Sequence, residues 1–244
     1  MAFDVFDVLL VVASTLAASV AALSGFGIGS ILTPLLATRI DFGLAVAAIS
    51  IPHVVATSLR CWMLRKHINK EVLIGFGSLS AIGGLAGALF QSMASNPALT
   101  ILFALLLVYV GVSGFIGWSK SLTINKKWSS IAGLSSGLLG GLVGNQGGIR
   151  SAALVGLDLK KNELVGTATA IGVVVDLARM PVYIYTEGNE LLKLWLWIAL
   201  ATAGCIVGTF GGKGALSKLS EELYRKVLFI LIAVLGVYMG FRVF

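Results

Sequence analysis

Residues 141–152 read GLVGNQGGIRSA. Glycines, two amides and Arg150 interrupt a region, 129–157, that is otherwise apolar, and glycine in such a run disfavours a continuous helix. A second region, 5–38, carries the same kind of interruption, SGFGIGS, from Ser24 to Ser30. As one straight helix each region would extend roughly 45–50 Å. That is too long for one ordinary crossing of about 30 Å of hydrocarbon and too short for two full ones.

Working outward from these breaks, the solvent is lipid. The chain of 244 residues is 57% hydrophobic and 12% charged, with a mean hydropathy of +0.97. A soluble core of this size cannot bury that much apolar side chain. No tract is polar enough for a soluble domain or a disordered linker, so 1–244 reads as a single transmembrane domain. The first apolar segment is preceded by Asp4 rather than by lysines, unlike a cleavable signal peptide, and is expected to remain. The net charge of +7 is spread over short loops between apolar runs, which suits a membrane-flanking role and not nucleic acid. Cys61 and Cys205 have no spacing that could hold a metal, and no cofactor is implied.

Six ordinary crossings are expected near 43–64, 72–92, 97–118, 163–185, 191–212 and 225–243. Shifting the chain by 119 residues lays Gly25 on Gly144, Gly29 on Gly148, Val54 and Val55 on Val173 and Val174, and Arg60 on Arg179. Each half, 1–120 and 125–244, then runs as a glycine-broken region followed by three long apolar segments.

Charge decides how the halves are oriented. If each broken region crosses once, the loop lysines and arginines divide eight to seven between the two sides, which is no bias. If each region instead enters and returns as a re-entrant hairpin, the second half is inverted. One side then holds twelve basic residues, among them Arg65, Lys66, Lys70, Lys160 and Lys161, and the other only Arg39, Lys193 and Arg242. That asymmetry predicts an all-α integral membrane protein of two inverted repeats, with the basic side cytoplasmic and both termini outside. The expected location is the cell (inner) membrane.

The hairpins would meet near mid-membrane, where non-helical backbone is tolerated only inside protein or around a wet cavity. A short helix is predicted after each break, about 28–38 and 147–157, with an inward N-terminus suited to a small anion. The candidate substrate-binding residues are Ser24, Gly25, Gly27, Gly29 and Ser30 from the first break, and Gly144, Asn145, Gln146, Gly147, Gly148 and Arg150 from the second. Helix packing is the competing reading for the glycines, since GxxxG spacings also occur at Gly83/Gly87, Gly204/Gly208 and Gly236/Gly240.

Three of the 18 basic residues lie within apolar segments: Arg60, Arg150 and Arg179. Arg60 and Arg179 either face the interior or snorkel to headgroups. Asp176, three residues before Arg179, is a structural partner, a gate or a proton-coupling carboxylate. His53, after Pro52, is either a packing residue or a proton carrier. These four residues are the gating or coupling candidates. Thr57, Thr167 and Thr169 either line the same cavity or bond back to their own helices.

The motifs GFGIGSILTPLLA and GLLGGLVGNQGGIRSAALVGL, each followed by a helix start rich in small residues (LAVAAIS and ELVGTATAIG), resemble those of the sulfite exporter TauE/SafE family over nearly the whole chain. The family pattern is closer to GxGGG followed by P-x-L, and here Ala153 stands where the second copy would have proline. The resemblance implies movement of a small sulfur-containing anion, such as sulfite or a sulfonate, usually as export. It is a transporter reading, with a proton or sodium ion as the candidate coupling ion, the bilayer as surroundings and a homo-oligomer compatible with it. A passive anion channel and a non-transporting subunit of a membrane complex are the alternatives. An intramembrane hydrolase would need paired aspartates, a serine with histidine, or HExxH; only Asp176 lies in an expected crossing, and neither histidine has that spacing.

Overall fold

The computed structural model describes residues 4–24, 27–94, 96–117, 128–145, 147, 150, 153–154, 157, 159–216 and 221–241. Among them there is no strand. The helices are α1 (Val5–Ser24), α2 (Ile28–Leu36), α3 (Phe42–Leu64), α4 (Lys70–Met93, opening with a π turn at Leu73–Gly77), α5 (Asn96–Ile116), α6 (Ser129–Val143), α7 (Lys161–Lys193), α8 (Trp195–Leu216) and α9 (Glu221–Phe241). Between α6 and α7, Gly147, Arg150, Ala153 and Leu154 are also helical.

Both helix interruptions fall at the glycines. Gly27 precedes α2 with φ 131°, and Gly144 follows α6 with φ 72°. Backbone of this kind is costly for any residue with a Cβ, so glycine is what allows α6 to stop and the chain to turn. The first break falls asymmetrically. At 20 residues, α1 is about 30 Å long and by itself long and apolar enough to cross, whereas α2 has nine residues and is far too short. Five spans of crossing length occur among the described residues, including Val5–Ala22 and Asn162–Lys193. The expected crossing at 163–185 is extended: α7 continues to Lys193, which places Arg179 well inside the helix rather than near its end.

The helices pair in a pattern that survives exchange of the two halves. α1 packs along α8 and its counterpart α6 along α4; α3 packs on α8, and α7 on α4. The two remaining large contacts, α3 with α7 and α5 with α9, join equivalent helices. Small residues permit these approaches: a Cβ on Gly83 or Gly87 would run into the carbonyls of Leu134 and Leu138 on α6, and one on Gly208 into the Thr15 carbonyl on α1. Gly236 likewise lies against Ala104 and Leu107. At these positions the GxxxG spacings serve close packing.

Two sets of contacts tie distant segments to the same end of the bundle. At one end, Arg39 stacks over the Phe6 ring at 4.9 Å, and Trp197 Nε1 donates to Asp7 at 2.9 Å. At the other, Asn69 donates from its amide nitrogen to Glu163 at 2.8 Å and from its backbone to Thr167 at 2.9 Å. The outward surface carries Leu16, Phe90, Leu105, Leu192 and Phe241. So much exposed apolar side chain on helices that satisfy their own backbone is the surface of a multi-pass membrane protein.

Candidate functional site

The two breaks touch. Gly29, in the first turn of α2, lies so close to Gly144 that a Cβ on it would overlap the Gly144 carbonyl. On the other side of Gly144 lie Val46 of α3 and the hydroxyl of Thr33. Thr33 is fully buried, and its Oγ1 has no hydrogen-bond partner among the described residues. Such a hydroxyl is costly to bury unless something else bonds it. Gly27 and Ser30 are buried beside this point, Gly147 is buried and helical, and Asn145 is half-buried in the turn. The Ser24 backbone ends α1. Gly25, Gln146 and Gly148, also predicted at the site, lie outside the described residues.

The charged candidates gather between α3 and α7. His53 Nδ1 lies 2.6 Å from Asp176 Oδ2, and Arg179 binds the other carboxylate oxygen through Nη2 at 2.9 Å and Nε at 3.2 Å. Arg179 also donates from Nη1 to the Gly140 carbonyl, which already accepts the Gly144 N–H at 3.0 Å. Tyr183 donates to the next carbonyl, Gly141, at 2.5 Å. Thus the C-terminal turn of α6 is held by a cation and a hydroxyl from α7, and the cation stands at its negative dipole end. Arg179 and Asp176 are 2% and 0% exposed, and Arg60 is 5% exposed, so neither arginine snorkels.

Arg60 is differently placed. Its Nη2 reaches only Thr57 Oγ1, at 3.5 Å, and its buried Nε and Nη1 have no partner among the described residues. Arg150, also buried, brings Nη1 to 3.3 Å from where a Cβ on Gly172 would stand, with Thr57 Cγ2 at 3.2 Å from the same point. All three arginines are within electrostatic reach of Asp176. The threonines resolve separately. Thr57 and Thr169 donate to carbonyls one turn back, His53 and Val165, while Thr167 accepts the Asn69 N–H at the bundle's end.

Tyr183, Gly172 and Thr33 were not among the expected site residues. Tyr183 follows Arg179 by one turn, and Gly172 is the counterpart of His53 under the shift of 119 residues, so both left a positional signal. Asp7 is buried in the first turn of α1 and accepts a hydrogen bond from Trp197 Nε1. No group of three or more metal-ligating side chains occurs among the described residues.

Compared with known proteins, the chain matches the family model described as Sulfite exporter TauE/SafE over residues 10–239. No curated protein and no solved structure matches it. With nearly its whole length covered, this chain belongs to the sulfite exporter TauE/SafE family of membrane transporters.

Proposed function

We propose that the protein is an alternating-access carrier that moves a small sulfur-containing oxyanion, sulfite or a sulfonate, out of the cytoplasm. The observation that carries this reading is the meeting of the two glycine breaks at Gly29 and Gly144, beside a Thr33 hydroxyl that has no partner among the described residues. Two interruptions from opposite halves of the chain are needed to build one such point. The N-terminus of α2 and a hydroxyl donor there suit an oxyanion that passes from one side to the other.

The halves are inverted repeats in this reading, and each broken region is re-entrant. Its support is positional. Arg39 over Phe6 brings the two ends of the first region to one face. The bonds from Asn69 to Glu163 and Thr167 bring the loop bearing Arg65, Lys66 and Lys70 to the start of α7, next to exposed Lys160. If each broken region crossed once, these pairs would lie on opposite faces. The basic end is the cytoplasmic one, and one repeat rocks against the other about the α3–α7 contact.

Counterflow in proteoliposomes tests the mechanism. Vesicles loaded with unlabelled sulfite should take up labelled sulfite faster than empty ones, and the rate should saturate. Conductive, unsaturable flux without trans-acceleration overturns the carrier in favour of a channel. Absence of any sulfite or sulfonate flux overturns the substrate class.

A further inference from the structure

The shift that superposes the halves lays His53, Thr57 and Arg60 of α3 on Gly172, Asp176 and Arg179 of α7. The two sets face one another across the α3–α7 contact, yet their chemistry differs at two positions out of three. In the second half, Arg179 has every nitrogen engaged, by Asp176 and by the Gly140 carbonyl. In the first, the carboxylate is replaced by Thr57, whose hydroxyl donates to the His53 carbonyl at 2.7 Å and offers Arg60 only a lone pair at 3.5 Å. Arg60 therefore keeps two buried donors, Nε and Nη1, unmatched among the described residues. The other difference is steric. Where α3 has His53, α7 has Gly172, and the Arg150 guanidinium lies in the space that a side chain there would fill, against Thr57.

We infer that Arg60 is a substrate ligand rather than a gate, and that Arg60 and Arg150 together grip the oxyanion head at a site beside Thr57 and Gly172. This rests on the carrier reading above. A guanidinium is a planar fork that pairs best with two oxygens of one acid group, and leaving its donors unmade in a buried site is costly. The ligand that satisfies Arg60 is an acid group with at least two oxygens, such as the head of sulfite or a sulfonate, and not a halide. Asp176 and Arg179 of the second half, closed on one another and on His53 of the first, supply the anchor against which this site is held. The equivalent position thus carries an internal carboxylate in one half, and in the other the room for an external one.

The test is sulfite affinity of the purified full chain, read as the concentration dependence of its melting temperature, in wild type, Arg60→Gln and Thr57→Asp. Thr57→Asp installs in the first half the carboxylate that the second half has, so Arg60 is neutralised from within and the fold is kept. Both variants should bind sulfite roughly 10- to 100-fold more weakly than wild type, and Thr57→Asp should melt no lower than wild type without ligand. Chloride should compete only weakly. Wild-type sulfite affinity in both variants, or chloride binding as tight as sulfite, overturns the site while leaving the carrier reading intact. A wild-type protein that neither shifts with sulfite nor exchanges it across vesicles removes the carrier reading itself.

Discussion

His53 Nδ1 and Asp176 Oδ2 lie 2.6 Å apart across the contact of α3 with α7, although 123 residues separate them in the chain. The bond ties together α3 and α7, which occupy equivalent positions in the two halves. Asp176 holds Arg179 as well, and Arg179 reaches the last turn of α6. A short chain of polar contacts therefore runs from α3 through α7 to the turn at Gly144, which touches Gly29. Any movement of one half against the other must either carry this chain intact or break it.

Replacing Asp176 by asparagine should show its weight. The substitution keeps the volume but removes the charge that faces Arg179 and His53, and breaking one side of a buried ion pair costs about 3–5 kcal/mol. Asp176→Asn should lower the melting temperature in detergent far more than His53→Gln, which removes one partner of a carboxylate that retains Arg179. Equal effects would mean that the histidine, not the arginine, carries the pair.

The end of α6 offers a second measurement. Tyr183→Phe leaves the Gly141 carbonyl without its donor inside a buried contact, a loss of about 1–3 kcal/mol. Arg179→Gln acts on the adjacent carbonyl, so the two changes share one turn of helix and should not add. A double-mutant cycle is expected to give a coupling of at least about 0.5 kcal/mol. Independent effects would show that α6 is held by its packing on α4 alone.

Glycines separate cleanly by what surrounds them. A Cβ at Gly29 meets the Gly144 carbonyl, which is backbone at a left-handed residue and has no rotamer to give, so Gly29→Ala should cost about 1–3 kcal/mol and disturb the site. Gly75, in the π turn of α4, has nothing within 4 Å of its Cβ position. Gly75→Ala should be neutral or stabilise by up to about 1 kcal/mol. Melting temperatures and sulfite counterflow of the two variants together check the contrast.

Much of the fold was legible because its signals are local. Apolar runs mark the long helices, glycine clusters mark the stops at Ser24 and Val143, and the i, i+3 spacing of Asp176 and Arg179 announces their pairing. What stayed hidden is what local pattern does not encode. The acceptors of Arg179 and Tyr183 are the carbonyls of Gly140 and Gly141, and a backbone oxygen has no residue type to read. The His53–Asp176 bond depends on how α3 and α7 are rotated about their axes, which the apolar stretches around these residues do not reveal. The isolation of Arg60 is legible only in three dimensions, since Thr57 beside it is as good a neighbour on paper as any hydroxyl. Even the extent of α7 was understated, because Glu187 and Glu190 look like a loop until the helix is seen to carry them beyond the apolar span.

Orientation gives the prediction that separates the two topologies most sharply. With Cys61 and Cys205 replaced by alanine, single cysteines at Lys66 and Lys193, both exposed positions, can be labelled in intact cells with a membrane-impermeant maleimide. If each glycine-broken region crossed the membrane once, 66 and 193 would lie on the same side and would label together. If the regions are re-entrant and the halves inverted, they lie on opposite sides, because the crossings between 66 and 193 number three, α4, α5 and α7, only when 129–157 contributes none. The expected outcome is that Lys193→Cys reacts from outside, whereas Lys66→Cys reacts only after permeabilisation. Arg39→Cys should behave like Lys193→Cys, since Arg39 sits with Phe6 at the end of the bundle that Trp197 shares. Labelling at 66 and 193 from one side would remove the inverted repeat, and with it the reason for the two glycine breaks to meet at Gly29 and Gly144.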